Sequence, residues 1–170
     1  MGGRVGAASE PGRGSLFWFE VPFLPAEPVA PAAAEAPADA GGGRGLRVLV
    51  AEDGELNREI ARAMLERRGH AVLEARDGRE AVEAVRAGGV DVVLMDLHMP
   101  VMDGLSATRL IRSLGGPAAS VPVLALTAST SAHDRARCLA AGMGGLVAKP
   151  LSPARLHAAI DAAVAGAGGP

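Results

Sequence analysis

The chain has 170 residues and a formal net charge of −2, so it lacks the basic field that would argue for binding to nucleic acid or to an anionic membrane. Its single cysteine, Cys138, excludes an internal disulfide framework and is typical of a reducing compartment. The apolar runs are far shorter than the roughly 20 residues of a membrane-spanning helix, and the first residues contain no apolar signal-peptide core. We therefore expect a cytoplasmic protein that does not insert into a membrane.

The first predicted element is a β-hairpin within residues 1–24. The stretches RVGAAS and LFWFEVPF have strand composition, and the EPGRGS between them is rich in turn residues. This segment also contains every phenylalanine and tryptophan of the chain. Because two strands alone are marginally stable in water, we expect this hairpin to come from the edge of a larger sheet.

A linker is predicted for residues 25–45, which read PAEPVAPAAAEAPADAGGGRG. Such a composition cannot bury enough apolar surface to offset the entropy lost on ordering the chain. We expect this linker to be disordered, extended where prolines cluster and loose at the run of glycines.

From residue 46 to residue 165, apolar runs alternate with amphipathic stretches, a pattern that predicts one α/β domain. The predicted strands cover residues 46–51, 71–75, 91–95, 121–127 and 145–148. The predicted helices cover residues 55–68, 78–87, 104–114, 131–140 and 153–164. This alternation indicates a doubly wound, five-stranded parallel sheet with helices on both faces. The last residues, 166–170, are predicted to form a flexible tail.

Polar residues follow four of the predicted strands. Each has an ordinary explanation when taken alone, as a solvated loop, a turn former, a helix cap or a surface lysine. In a doubly wound sheet, however, ligands bind beyond the carboxyl ends of the strands. Their joint occurrence at successive strand ends therefore favours a functional site composed of Glu52 and Asp53, Asp96, Thr127 and Lys149.

The charges of this set suggest which ligand it binds. Two carboxylates about 5 Å apart repel each other by roughly 3 kcal/mol at an effective dielectric constant near 20. The convergence of Glu52, Asp53 and Asp96 is therefore unfavourable unless a cation lies among them, and oxygen ligands with room for water favour Mg²⁺. Lys149 adds a second positive charge and Thr127 a hydroxyl donor, which suits a phosphoryl group whose oxygens need neutralising.

Four motifs in this region resemble a known family. In chain order LVAEDGELNREIA, VVLMDLHMPVMDG, ALTA and AKP are similar to the motifs of the receiver domain of two-component response regulators. The resemblance covers residues 46–165 and is strongest to receivers attached to hybrid sensor histidine kinases. It implies a flavodoxin-like (βα)5 fold with strand order 2-1-3-4-5. It also implies a phosphoprotein that acts in phosphorelay signal transduction.

The resemblance assigns a role to each acid. Asp96 is implied to be the phosphoacceptor and a ligand of Mg²⁺. Asp53 is implied to bind the ion directly and Glu52 to bind it through water. The backbone carbonyl of His98 is implied to be a further ligand.

The resemblance also assigns roles around the phosphoryl group. Thr127 and Lys149 are implied to contact the acyl phosphate. Pro100 and Gly104 are implied to shape the loop that carries Asp96. The bond from Lys149 to the following proline is often cis in the family.

One departure from the family pattern lies in the segment GMGGLVAKP. Leu146 stands where the family has an aromatic residue, and Gly144 and Gly145 stand where it often has acids. That aromatic normally reorients when the switch threonine moves. We therefore expect a weakened relay and a protein that stays mostly monomeric when activated.

The hairpin of residues 1–24 resembles the last strands of the histidine kinase ATP-binding domain. The chain is therefore expected to be a piece of a hybrid histidine kinase in which the ATP-binding machinery lies elsewhere. We expect it to act not as an enzyme by itself but as a receiver. The expected partners are the phospho-histidine domain of a kinase and a histidine phosphotransfer protein.

Two other functions compete with this hypothesis. One is a pseudo-receiver that binds a partner and is never phosphorylated, against which the full set of acids, Thr127 and Lys149 argues. The other is a phosphohydrolase with an aspartyl-phosphate intermediate. Such enzymes typically carry another acid two residues after the nucleophile, and here that position is His98.

The remaining reactive residue types carry weak signals. His70, His133 and His157 are predicted to be solvated in or beside helices, and no two histidines have the spacing of a metal site. Cys138 is predicted to be a small buried side chain rather than a nucleophile.

Overall fold

The computed structural model describes residues 2–10, 12, 14–22, 45–129 and 131–167. The chain divides into two units, residues 1–41 and 42–170. The predicted linker lies outside the described residues except for Gly45, and so do the last three residues of the predicted tail. Within the described part, no helix combines the length and the apolar composition needed to cross a membrane.

The first unit contains the predicted hairpin. Strand β1 (Arg4–Glu10) pairs antiparallel with strand β2 (Gly14–Glu20), and Val5 lies opposite Phe19. The Trp18 indole packs so closely over Gly6 that a side chain at that glycine would collide with it. Trp18 is nevertheless exposed, and so are the other large apolar side chains of β1 and β2: Val5, Leu16, Phe17 and Phe19.

The second unit is a parallel sheet covered by helices, which confirms the predicted fold class. The strands of this sheet lie in the order β4-β3-β5-β6-β7. Counted from β3 as the first, this is the predicted order 2-1-3-4-5. The strands are β3 (Arg47–Ala51), β4 (Ala71–Ala75), β5 (Val92–Asp96), β6 (Val123–Thr127) and β7 (Gly145–Ala148).

The helices follow the predicted alternation with one addition. The described helices are α1 (Glu55–Glu66), α2 (Gly78–Ala87), α3 (Gly104–Ser113), α4 (Gly116–Ala119), α5 (Ala132–Ala140) and α6 (Pro153–Ala167). The short helix α4 was not predicted, because its letters GPAA follow a glycine and begin with a Gly-Pro pair, which is typical of a turn. Helix α6 continues two residues beyond the predicted end of the domain at residue 165.

The sheet separates two groups of buried apolar side chains within residues 45–167. Successive side chains of a strand point to opposite faces, and β3 follows this rule. Its Val48 and Val50 pack with residues of α1 and α6, whereas Leu49 and Ala51 pack with residues of α2 and α3. Cys138 of α5 is fully buried in the second group, as predicted.

Two of the three histidines that were predicted to be solvated, His70 and His157, are less exposed than expected. His133 is exposed as expected, but His70 is only 8% exposed, because it lies where the chain turns from α1 into β4. Its ring lies 6.2 Å from that of the half-buried His157 of α6. Burial lowers the pKa of both imidazoles and the charge of Arg68 lowers it further, while Asp161 opposes this shift.

The lowered pKa values predict a stability that depends on pH. A histidine with a lower pKa in the folded state stabilises it fully above the unfolded value, about 6.5, and loses this contribution as pH falls toward the folded pKa. We expect the free energy of unfolding, measured by urea denaturation, to fall as the pH is lowered below about 6.5. The His157→Gln variant should lose less stability over this interval, and the exposed control His133→Gln should match the wild type. An identical pH dependence in His157→Gln would contradict the prediction.

Gly104, the first residue of α3, lies against the end of β5. A Cβ atom at this position would collide with the backbone carbonyl of Asp96 and would lie 2.9 Å from the Met95 side chain. The Gly104 amide also donates a hydrogen bond to the Leu97 carbonyl at 3.2 Å. The absence of a side chain therefore lets α3 begin close to the last residue of the strand.

Replacing Gly104 tests this close approach. We expect Gly104→Ala to lower the free energy of unfolding by about 1–3 kcal/mol, because a backbone atom cannot rotate away from the new methyl group. Gly166→Ala is the matched control, since nothing lies within 4 Å of a Cβ at this helical position. The control should be neutral or stabilising by up to about 1 kcal/mol. Urea denaturation measures both, and equal stability of Gly104→Ala and wild type would contradict the packing argument.

Candidate functional site

Three acids meet at the edge formed by the carboxyl ends of β3 and β5. Glu52 and Asp53 follow β3, and Asp96 is the last residue of β5, the neighbouring strand. One carboxylate oxygen of each acid lies within 4.8 Å of the others. Glu52 and Asp96 are 2% and 6% exposed, whereas Asp53 is exposed to solvent. The structure therefore brings together the three acids that the sequence predicted.

Lys149 reaches this cluster from the end of β7, two strands away from β5. Its Nζ lies 2.5 Å from Oε2 of Glu52 and 2.7 Å from Oδ2 of Asp96. Burial acts to lower the pKa of Lys149, but its hydrogen bonds and ion pairs with Asp96 and Glu52 outweigh burial and raise it. The ammonium group is thus charged at neutral pH and neutralises one of the three carboxylates. A net negative charge remains at the site.

Neighbouring groups orient the two buried carboxylates. The amide of His98 donates to Oδ1 of Asp96 at 3.2 Å, so that the two oxygens of Asp96 have different partners. The side-chain amide of Asn57 donates to Oε1 of Glu52 at 2.7 Å. Hydrogen bonds of this kind fix where a carboxylate can point before any ligand binds.

Sequence reasoning did not identify the supporting residues Asn57 and Arg58 of α1. The Arg58 guanidinium donates to the carbonyls of Glu52 and Asp53 beneath the acids. A signal for Arg58 was present, because it lies three and seven residues before the buried Ala61 and Leu65 and therefore on the inner face of the helix.

Thr127 lies at the same edge, at the end of β6 beside β5, and is 4% exposed. Its hydroxyl donates to the carbonyl of Ser129 at 2.8 Å and accepts a hydrogen bond from the Ser129 amide at 3.1 Å. The hydroxyl is therefore bonded to the loop after β6. The hydroxyl can donate to a ligand only if it gives up its hydrogen bond to the Ser129 carbonyl.

The loop between β5 and α3 departs from ordinary strand and helix geometry. Val101 has a φ of 63°, a backbone conformation that is uncommon for a β-branched residue. Asp103 caps α3 by accepting a hydrogen bond from the Ser106 amide, which lowers the pKa of its carboxyl group.

After β7, the peptide bond between Lys149 and Pro150 is cis.

The residues at this edge fit a magnesium ion. Mg²⁺ prefers carboxylate, carbonyl and water oxygens, and it keeps several waters when it is bound by one or two carboxylates. Glu52, Asp53 and Asp96 supply such oxygens, and the exposure of Asp53 leaves the site open to water. A groove beside the cluster is lined by Glu52, Asn57, Ile60, Lys149, Pro150 and Leu151.

Leu146 lies on β7 and is half-buried, in contact with the apolar group on the α2 and α3 side of the sheet. Leu139 of α5 is 53% exposed. The position that the resemblance links to a reorienting aromatic residue is therefore occupied here by an aliphatic side chain that packs on the core.

Solved structures resemble this unit. The receiver domain of sensor histidine kinase PA1611 from Pseudomonas aeruginosa PAO1, which has a magnesium ion coordinated in its active-site cleft, is 38% identical with a TM-score of 0.66. The match covers 72% of this chain and 99% of that chain. A chain in the co-crystal structure of the Saccharomyces cerevisiae phosphotransfer protein Ypd1 with the receiver domain of Ssk1 is 30% identical with a TM-score of 0.66. That match covers 71% of this chain and 90% of that chain.

Sequence comparisons agree with the structural ones. The sensor histidine kinase AruS of Pseudomonas aeruginosa is 40% identical over 163 residues, which cover 94% of this chain. The chain spans only 16% of the length of that kinase. A family model described as the response regulator receiver domain matches residues 48–161. The chain therefore belongs to the receiver domain family of two-component signalling.

Proposed function

We propose that this chain is the phosphoacceptor module of a phosphorelay. It takes a phosphoryl group from a phospho-histidine of a kinase onto Asp96 and passes it to a phosphotransfer partner or modulates the kinase. The observation that carries the proposal is the convergence of three carboxylates and Lys149 beyond the carboxyl ends of parallel strands. A structural role alone does not explain so many charges at one edge, because their mutual repulsion is unfavourable.

The proposed cation site uses the oxygens at this edge. The ion would be held directly by Asp53, Asp96 and the carbonyl of His98 and, through water, by Glu52. When bound, Mg²⁺ supplies positive charge that neutralises phosphoryl oxygens. The magnesium ion in the similar PA1611 receiver supports this assignment.

The proposed reaction needs little chemistry from the protein beyond positioning. An oxygen of Asp96 attacks phosphorus and forms a P–O bond, while the P–N bond to the donor imidazole breaks and leaves its electron pair on nitrogen. Lys149, already paired with Asp96, offers its ammonium group to a phosphoryl oxygen. The Thr127 hydroxyl would leave Ser129 to donate to another oxygen of the group.

The proposed partners dock beside the acidic cluster. The first two turns of α1 expose Leu56 and Ile60, which are 67% and 41% exposed, and Ile60 lines the groove next to Lys149. An apolar surface near a reacting group suits a partner that must present a histidine there. The similarity to a receiver co-crystallised with a phosphotransfer protein supports this class of partner.

We also propose a place for the chain in a larger protein. Residues 1–24 would be a remnant of a kinase ATP-binding domain, residues 25–45 a linker and residues 46–165 the receiver, with a short tail at 166–170. The match to a sensor histidine kinase over 94% of the chain supports this division. In such a protein the receiver is cytoplasmic and assists its own phosphorylation without being a kinase.

Replacing Asp96 tests the acceptor. After incubation with Mg²⁺ and a small phosphodonor, the wild type should show a retarded band on a phosphate-affinity gel, and Asp96→Asn should show none, because the amide is not a nucleophile. Asp91→Asn, which removes an exposed acid near the other end of β5, should label at the wild-type rate. Asp53→Ala should slow labelling by about a hundredfold or more, because the ion loses an anionic ligand. Wild-type labelling of Asp96→Asn would contradict the proposal.

The leucine at position 146 predicts a weak dimer switch. A leucine is smaller than an aromatic residue and has no hydroxyl that could form a hydrogen bond at the surface. A change in its rotamer should therefore alter the affinity of a dimer interface only slightly. With Mg²⁺ and beryllofluoride as a phosphoryl mimic, we expect light scattering at micromolar concentration to report a monomer. A clear monomer-to-dimer shift on adding the mimic would show that the aliphatic residue does not weaken the switch.

A further inference from the structure

Arg58 is a buried cation whose hydrogen bonds go to the backbone beneath the acids. The residue is 6% exposed, and its Nη1 donates to the carbonyl of Glu52 at 2.8 Å and to that of Asp53 at 2.9 Å. Its nearest carboxylate is that of Glu74 on β4, at 3.6 Å from Nε, which is too far for a hydrogen bond. Among the described residues, no group accepts a hydrogen bond from Nε.

The stability of α1 does not explain this arginine. Burying a charge whose hydrogen bonds are incompletely satisfied is unfavourable. A cation in the first turns of a helix also meets the positive end of the helix dipole. An apolar residue would extend the buried face that Ala61 and Leu65 form on the same helix.

The two carbonyls that Arg58 binds belong to the consecutive acidic residues Glu52 and Asp53, and this points to a role in shaping the backbone there. In an extended strand, successive residues point to opposite sides, so consecutive carboxylates cannot both face one ion. Strand β3 ends at Ala51, but the Glu52 amide still donates to the Ala75 carbonyl of the neighbouring strand at 3.1 Å. Asp53 is already in a bend. A single nitrogen that binds both carbonyls holds the chain in this bend, from which both acids reach Asp96.

We propose that Arg58 is a positioning residue for divalent-cation binding, which sets the backbone of Glu52 and Asp53 so that both carboxylates converge with that of Asp96. This inference rests on the proposed function of the cluster as a Mg²⁺ site. Arg58 acts through these two residues and does not touch the ion or the phosphoryl group.

The direction in which Mg²⁺ affinity changes when Arg58 is replaced distinguishes a positioning role from a purely electrostatic one. A positive charge near a cation site repels the cation, so removal of Arg58 would tighten Mg²⁺ binding if its charge alone mattered. Loss of the bend weakens binding instead, because the acids no longer converge. Arg62 provides the control, since its Nε lies 3.6 Å from the other oxygen of Glu74 and its side chain is 46% exposed.

The experiment is a calorimetric titration of the full chain with MgCl₂, alongside thermal unfolding of each variant. We expect Arg58→Met to raise the Kd for Mg²⁺ about tenfold or more, as is typical when a group that orients metal ligands is removed. Arg62→Met, which removes the same charge one turn along the helix, should bind as tightly as the wild type or more tightly. Arg58→Lys should bind Mg²⁺ more weakly than the wild type, because a lysine side chain ends one bond short of the position of Nη1 and its ammonium group is more strongly hydrated than a guanidinium.

The outcomes separate this inference from the proposed function. A folded Arg58→Met with an unchanged or lower Kd would overturn the positioning role while the cation site stands. If Arg58→Met does not fold, Arg58→Lys decides, and wild-type affinity in that variant overturns the role. A wild-type chain that binds no Mg²⁺ overturns the proposed function and this inference with it.

Discussion

The fold must hold three carboxylates together against their mutual repulsion. Charges about 5 Å apart in a partly buried site repel by roughly 3 kcal/mol per pair, so Glu52, Asp53 and Asp96 stay together only because the fold holds them. Lys149 offsets part of this repulsion through two short ion pairs. In the proposed function, the negative charge that remains is balanced by a bound Mg²⁺ ion, which then neutralises phosphoryl oxygens.

The fold meets this constraint with rigid elements. The strands β3 and β5 are apolar and buried, lie side by side and are parallel, so their carboxyl ends place the acids at one edge. Two further strands bring Lys149 to the same edge. Gly104 lets α3 begin against the last residue of β5, and Arg58 donates hydrogen bonds to the carbonyls of Glu52 and Asp53 after β3. Lys149 contacts the carboxylates themselves, whereas Gly104 and Arg58 lie against the backbone of the acidic residues.

The sequence predicted the parts of the site that local pattern determines. Asp96 and Lys149 could be identified because each ends an apolar strand, and parallel strands share an edge. Asn57 and Arg58 were missed because their importance lies in contacts with backbone and carboxylate groups before the helix. Helical periodicity indicates that Arg58 faces inward but does not reveal these hydrogen-bond partners. The burial of His70 was missed for a similar reason, since it depends on the packing around a turn. Helix α4 was missed because it begins with Gly116 and Pro117, residue types that are typical of turns.

The most direct test of the central claim locates the phosphoryl group. The chain is incubated with Mg²⁺ and a small phosphodonor, treated with borohydride, which reduces an aspartyl phosphate to homoserine, and digested for mass spectrometry. We expect homoserine at position 96 with Mg²⁺ and none when the ion is removed by a chelator. Phosphate on a histidine such as His98, reduction at Asp53 instead of Asp96, or labelling that does not depend on Mg²⁺ would contradict the central claim.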